Sequence, residues 1–167
     1  MDIRIEKKDP FKVIGMTLSV ILSEEREKKL ITALHDNFSE RIHEIKNRIE
    51  PLKEYGIFID PPNYNPNSDP FTWIAGVEVE DISDPPKEMK SFEFPKQLYA
   101  ITTYEGPKGE AGSIYDALYT WINQSDYEIA ADYGLEIYSS VSDKLGPNYI
   151  HMDLYFPIKE KDLLIKD

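Results

Sequence analysis

The sequence predicts an α+β fold in which duplicated βαββ units form an antiparallel sheet, with two long helices on one face and a cleft along the join. Three observations predict it. Segments of strand and helix character follow one another as strand, helix, strand, strand, and that order occurs twice. Tyr55-Gly-Ile-Phe-Ile59 aligns with Tyr133-Gly-Leu-Glu-Ile137 at an offset of 78 residues, and the same offset sets Thr72-Trp-Ile-Ala75 against Ile150-His-Met-Asp153. Finally, 167 residues with 41% hydrophobic and 12% aromatic side chains suffice for one sizeable core. The expected domain covers residues 1–158, as two pseudo-repeats of about 1–80 and 90–158, with a charged tail from 159 to 167.

Each element has a local reason. Ile3 and Ile5 alternate with charged residues until Asp9-Pro10 interrupts, and residues 11–20 then read as a strand rich in β-branched side chains. Ser23 and the acidic turn Glu24, Glu25 and Glu27 suit a helix start. Leu30, Ile31, Leu34, Phe38, Ile42, Ile45 and Ile49 recur at three and four, predicting one long amphipathic helix that Pro51 stops. Residues 55–59 form a short strand, closed by a Pro-, Asn- and Asp-rich loop over 60–70. A strand at 71–79, a turn at Asp84-Pro-Pro86 and a brief edge segment with Phe92 and Phe94 follow. Residues 98–104 read as a strand ended by Gly106-Pro107. The glycines of 106–112 lack a phosphate-binding spacing and read as a turn into a second helix, which carries Ile114, Tyr115, Leu118, Trp121 and Ile122 on one face. Residues 133–138 and 149–156 are the last two strands.

Charge and composition exclude several functions. The net charge is −12, but residues 1–60 hold only −1 of it and residues 61–167 hold −11. A phosphate backbone needs clustered Lys and Arg, so nucleic acid is not an expected partner. An acidic field favours cationic ligands or basic protein surfaces, although bulk charge also serves solubility. No apolar run approaches ~18 residues, so no membrane span is expected, and the absence of an apolar leader after Met1 predicts a cytoplasmic protein. The chain has no cysteine, hence no disulfide, thiolate metal site or thiol nucleophile. His35 and His43 do not form a His-Glu-x-x-His pair, so neither metal nor cofactor is expected.

Glu136 is the most informative single residue. It interrupts a strand whose period of two puts Gly134, Glu136 and Tyr138 on one face and Leu135 and Ile137 on the other. Its counterpart at the 78-residue offset is Phe58. Such an acid either floors a cleft and meets a cation or simply faces solvent. Trp73, Tyr104, Tyr133, Tyr138 and Tyr155 are candidates, with Phe58, to line a pocket for a flat, positively charged molecule. Trp73, beside Ala75 and Gly76, is either a core plug or a pocket wall. Trp121 reads as core, and Tyr115 and Tyr119, one turn apart, as packing.

The segments Leu98-Tyr-Ala-Ile-Thr-Thr-Tyr-Glu-Gly-Pro107, Ile114-Tyr-Asp-Ala-Leu-Tyr-Thr-Trp-Ile122, Gly134-Leu-Glu-Ile-Tyr138 and Leu154-Tyr-Phe-Pro-Ile158 resemble the GyrI-like small-molecule-binding domain, which is also the effector-binding domain of multidrug-responsive bacterial transcription activators. The resemblance implies a duplicated βαββ fold with a ligand cleft between the halves. It also implies that Glu136 sits in that cleft facing lipophilic cations. It allows two alternatives: a hydrolase of cyclopropane-type toxins or an inhibitor of DNA gyrase acting by protein contact. For a hydrolase, Glu136 is the expected general acid or base, with Tyr104 the first choice as its hydrogen-bonding partner because it ends the strand before Gly106-Pro107 and could reach the cleft. With no helix-turn-helix and no basic recognition helix in the sequence, a standalone binding module is the leading expectation.

Overall fold

A computed structural model of the chain describes residues 1–82, 84–139 and 146–162. The strands are β1 (Ile3–Lys8), β2 (Phe11–Ile21), β3 (Glu54–Ile59), β4 (Pro70–Val79), β5 (Lys90–Phe94), β6 (Gln97–Pro107), β7 (Tyr127–Ile129), β8 (Tyr133–Tyr138) and β9 (Tyr149–Glu160). The helices are α1 (Leu22–Lys28), α2 (Leu30–Ser39) and α3 (Ser113–Gln124). The described strands form a single antiparallel sheet in the order β1-β6-β9-β8-β3-β4-β2-β5, with β7 added beside β9. The final strand runs to Glu160, beyond the expected boundary at 158; residues 163–167 of the expected tail lie outside the described residues.

Register assigns each side chain to a face, because partners directly opposite in an antiparallel pair project to the same side. One row across the sheet is Met16, Ala75, Gly56, Glu136, Leu154 and Thr102. The next row is Thr17, Ile74, Ile57, Leu135, Tyr155 and Ile101, and it points the other way. The first face carries the helices. Phe38 of α2 packs with Ile14, Ala75 and Val77, and Leu118 and Ile122 of α3 pack with Ala100, Leu154 and Phe156. The opposite face closes on itself. Only Asp9-Pro10 joins β1 to β2, and only Pro95-Lys96 joins β5 to β6, although each pair straddles the sheet. Such links reach about 10 Å, so the two ends of the sheet must bend together. Phe94 of β5 accordingly lies 5.2 Å, ring to ring, from Tyr133 of β8, although three strands separate β5 from β8 in the order. Phe11, Tyr55, Phe94 and Tyr99 fill the space so enclosed.

The single long helix expected to end at Pro51 is broken. Lys29 adopts the left-handed region at φ 52° and closes α1 by donating its N–H to the Glu25 carbonyl at 2.8 Å. Helix α2 then starts afresh and ends at Ser39; Ile42 lies in a short 3-10 turn and Ile45 is extended. Ile49 donates its N–H to the Glu78 carbonyl at 3.0 Å. The apolar period continued because Phe38, Ile42 and Ile45 all pack on the same side of the sheet, whatever the backbone between them does. No side-chain cap precedes α2, but the Glu25 carboxylate accepts from the Ile31 N–H at 2.8 Å and satisfies one of its open donors. Glu25→Ala is therefore expected to cost about 1 kcal/mol, the worth of a helix cap, and to lower Tm by about 2–4 °C. An unchanged melting curve would show that the contact adds nothing.

Candidate functional site

Glu136 stands at the middle of the sheet because Leu135 and Ile137 must face the closed core, which leaves the acid on the helical face. Its partner across β3 is Gly56. The missing side chain there is occupied space: a Cβ on Gly56 would lie 2.5 Å from the Trp73 ring and 2.6 Å from the Tyr138 hydroxyl. One pair along, a Cβ on Gly134 would lie 2.3 Å from the ring of Phe58. The two glycines thus let three aromatic side chains lie down against the sheet around the acid.

Both carboxylate oxygens of Glu136 are held. Tyr115 of α3 donates its hydroxyl to Oε2, and Tyr138 of β8 donates to Oε1. Burial raises the Glu136 pKa above the ordinary 4.5; the two tyrosine hydrogen bonds oppose the rise without cancelling it. The same burial, with the carboxylate beside them, holds Tyr115 and Tyr138 well above the usual tyrosine value, so they remain donors. Beside this cluster, Trp73 donates Nε1–H to His35 Nε2 at 3.0 Å, and His35 Nδ1 faces Glu54 Oε2 at 3.4 Å.

A cavity of about 1030 Å³ lies over these residues, with Ile31, Thr32 and His35 of α2 on one side and Tyr115, Asp116 and Tyr119 of α3 on the other. Its floor includes Phe58, Trp73, Glu136, Tyr138 and Met152. Glu25, Asp36, Glu54, Asp60 and Asp116 add carboxylates to its lining, against Arg26 and Lys108. Asp60 is pushed up to about 6 by burial and by the neighbouring charge of Asp132. Among the described residues no cluster of three potential metal ligands occurs, and no helix is long and apolar enough to cross a membrane.

Four of the seven candidate residues therefore line one cavity: Phe58, Trp73, Glu136 and Tyr138. Three do not. Tyr133 and Tyr155 project to the opposite face, where Tyr133 shares a 2.8 Å hydrogen bond with Tyr99 and Tyr155 packs on the Tyr99 ring at 5.4 Å. Tyr104 has the right face, but it folds over Gly106 and donates to the Pro107 carbonyl at 2.6 Å, leaving the partner role at Glu136 to Tyr115. Tyr115 and Tyr119 are correspondingly not packing alone: both line the cavity, while Tyr119 also stacks on Phe156 at 4.3 Å. Trp121 packs against the α3 core as expected. Trp73 is both wall and core, 6% exposed and clustered with Val20 and Phe71.

The chain is 30% identical over 160 residues to the transcriptional regulator BrlR of Pseudomonas aeruginosa; the match covers 95% of this chain and 56% of the regulator, so the chain spans about half the length of that relative. Its fold is similar to that of the EcmrR C-terminal domain, with a TM-score of 0.71 at 13% identity over 96% of this chain and 98% of that one. It is also similar to SAV2435 bound to tetraphenylphosphonium, with a TM-score of 0.70 at 12% identity over 95% and 94% of the two chains. At such identities the likeness to these two structures is one of fold. Residues 1–159 match the family described as the GyrI-like small molecule binding domain, and the chain belongs to that family.

Proposed function

We propose that the cavity between α2 and α3 binds a lipophilic organic cation, with Glu136 as counter-charge and Phe58, Trp73, Tyr115 and Tyr138 as aromatic walls. The observation that carries this reading is a carboxylate held by two tyrosines on the aromatic floor of a cavity, with no Lys or Arg hydrogen-bonded to it among the described residues. Removing a charge from water is costly unless an opposite charge meets it, and a cation brought by the ligand supplies that partner. The ligand of SAV2435, tetraphenylphosphonium, has this character. The acidic lining would draw such a molecule in.

The duplication belongs to the same reading. The strand order is palindromic, β1-β6-β9-β8 mirroring β5-β2-β4-β3, and the 78-residue offset carries Ile57 onto Leu135, which pair with each other at the centre. A pseudo-twofold axis between β3 and β8 accounts for both, and it makes the cavity the cleft between two equivalent halves. Membership of a larger regulator such as BrlR would make the domain its effector sensor.

The test is tetraphenylphosphonium binding as a function of pH, followed by calorimetry. The Glu136 pKa is raised, so its charge is present above that pKa and lost as pH falls through it. Affinity is expected to be full above that pKa and to decline as pH falls through it, with a midpoint above 4.5 and protons released on binding. The neutral analogue triphenylphosphine oxide should show no such decline. Asp60→Asn separates the titration of Asp60 from that of Glu136. Tetraphenylphosphonium affinity that stays flat down to pH 4.5 would remove Glu136 from the site.

A second reading uses the same carboxylate. Its raised pKa and its two tyrosine hydroxyls are the equipment of a general acid–base site. Steady-state turnover of an electrophilic, strained-ring substrate, abolished in Glu136→Gln, would establish an enzyme; stoichiometric binding without product supports the receptor.

A further inference from the structure

The Trp73 ring carries a polar tip that Glu136 does not satisfy. Its Nε1–H donates to His35 Nε2 at 3.0 Å. A nitrogen that accepts carries no proton, so the proton of the neutral ring sits on Nδ1, where it faces Glu54 Oε2 at 3.4 Å. Three elements are tied together: Glu54 opens β3, His35 lies in α2 and Trp73 in β4. The His35 ring also stands edge-on to Tyr138, with centroids 5.5 Å apart at 90°. The indole meanwhile covers Gly56 so closely that a Cβ there would meet it at 2.5 Å. Two of these contacts hold the indole, at its tip through His35 and beneath over Gly56, and the Tyr138 ring flanks the His35 anchor.

We propose that His35 is a positioning residue that sets the specificity of the cavity: by anchoring Trp73 as a rigid aromatic wall, it selects aryl-bearing cations over alkyl cations of the same charge. The inference rests on the cation-binding reading above. A fixed indole face offers stacking to a flat aryl group at little ordering cost, whereas an alkyl cation gains only charge and burial. Without its acceptor, the buried N–H must turn toward another partner and the wall moves with it.

The test compares His35→Phe with His35→Gln in the full chain. Calorimetry gives the affinities of tetraphenylphosphonium and tetrabutylphosphonium, and NMR follows the indole N–H signals, assigned with Trp121→Phe. In the wild type, the Trp73 indole proton is expected to lie downfield and to exchange slowly. His35→Phe keeps a ring but no acceptor; it should lose that signature and weaken tetraphenylphosphonium about tenfold, while tetrabutylphosphonium stays within about twofold. His35→Gln, whose amide oxygen accepts, should restore both the signature and the preference. If His35→Phe fails to fold, the wild-type and His35→Gln measurements decide: an aryl preference and a protected indole proton in both support the anchor. An unchanged preference in His35→Phe, an equal loss for both cations, or a wild-type Trp73 proton that exchanges freely overturns the proposal. If the wild type binds neither cation, the cavity reading fails and the specificity claim with it, while the indole spectra still show whether His35 holds Trp73.

Discussion

Glu136→Gln is expected to weaken tetraphenylphosphonium binding about 30-fold or more without unfolding the protein. Truncating one partner of a desolvated charge pair costs about 2–5 kcal/mol, and about 1.4 kcal/mol is tenfold in affinity. Glutamine keeps the volume and one carbonyl acceptor, so Tyr115 or Tyr138 still finds a partner. Stability should move the other way from affinity. Burial raises the Glu136 pKa, so its charged form disfavours the native state above that pKa, and the penalty disappears as pH falls through it. The ligand-free variant should therefore melt at or above the wild-type temperature at neutral pH, and it should lack the wild type's stabilisation on mild acidification. Wild-type affinity in this variant would take the charge out of recognition.

Gly56→Ala is expected to destabilise the protein while leaving every charge in place. The added methyl would sit 2.5 Å from the Trp73 ring and 2.6 Å from the Tyr138 hydroxyl, far inside contact distance. The hydroxyl can swing away, but the indole is anchored at His35 and packed among Val20 and Phe71. Overpacking of this kind costs about 2 kcal/mol, a fall in Tm of about 4–8 °C for a chain of this size. Tetraphenylphosphonium affinity should fall with it, because the displaced groups are a wall of the cavity and a ligand of Glu136. Gly109, with nothing within 4 Å of its built Cβ, is the control position. A Gly56→Ala protein that melts and binds like wild type would show that the floor yields freely.

The parity of a single strand already contained much of the site. Leu135 and Ile137 demand the core, so Glu136 and Tyr138 had to share the opposite face, and Phe58 followed from the offset. The same parity excludes Tyr133, an odd number of residues from Glu136, and register excludes Tyr155, which pairs with Leu135. Composition grouped these tyrosines together, but alternation separates them. Tyr115 was harder to read, because on a helix an aromatic one turn from Tyr119 satisfies the apolar stripe whether or not its hydroxyl has work. The available signal was chemical: a buried phenol needs an acceptor, and Glu136 faces the helix layer. His35 follows Ile31 by four residues and so faces the sheet, yet nothing in the sequence places it beside Trp73, since that contact depends on how α2 crosses β4. The break at Lys29 was not legible either, because neither glycine nor asparagine marks the left-handed residue.

The exchange of edge strands has a consequence for how the chain reaches this state. β1 does not add to β2, its neighbour in sequence, but to β6, and a side-chain hydrogen bond across that junction joins residues 99 apart. β5 likewise skips β6 and pairs with β2. Each edge is therefore completed only after more than half of the chain has been synthesised, through Phe94 for β5 on β2 and Thr102 or beyond for β1 on β6, and each of these pairings must first overcome the loop-closure entropy of a long intervening segment. Such non-local topology belongs to the slow end of folding, in milliseconds to seconds rather than microseconds. It also ties the floor of the cavity to the chain as a whole: neither the segment before residue 82 nor the segment after residue 89 holds a complete sheet, so recognition and global folding rise and fall together.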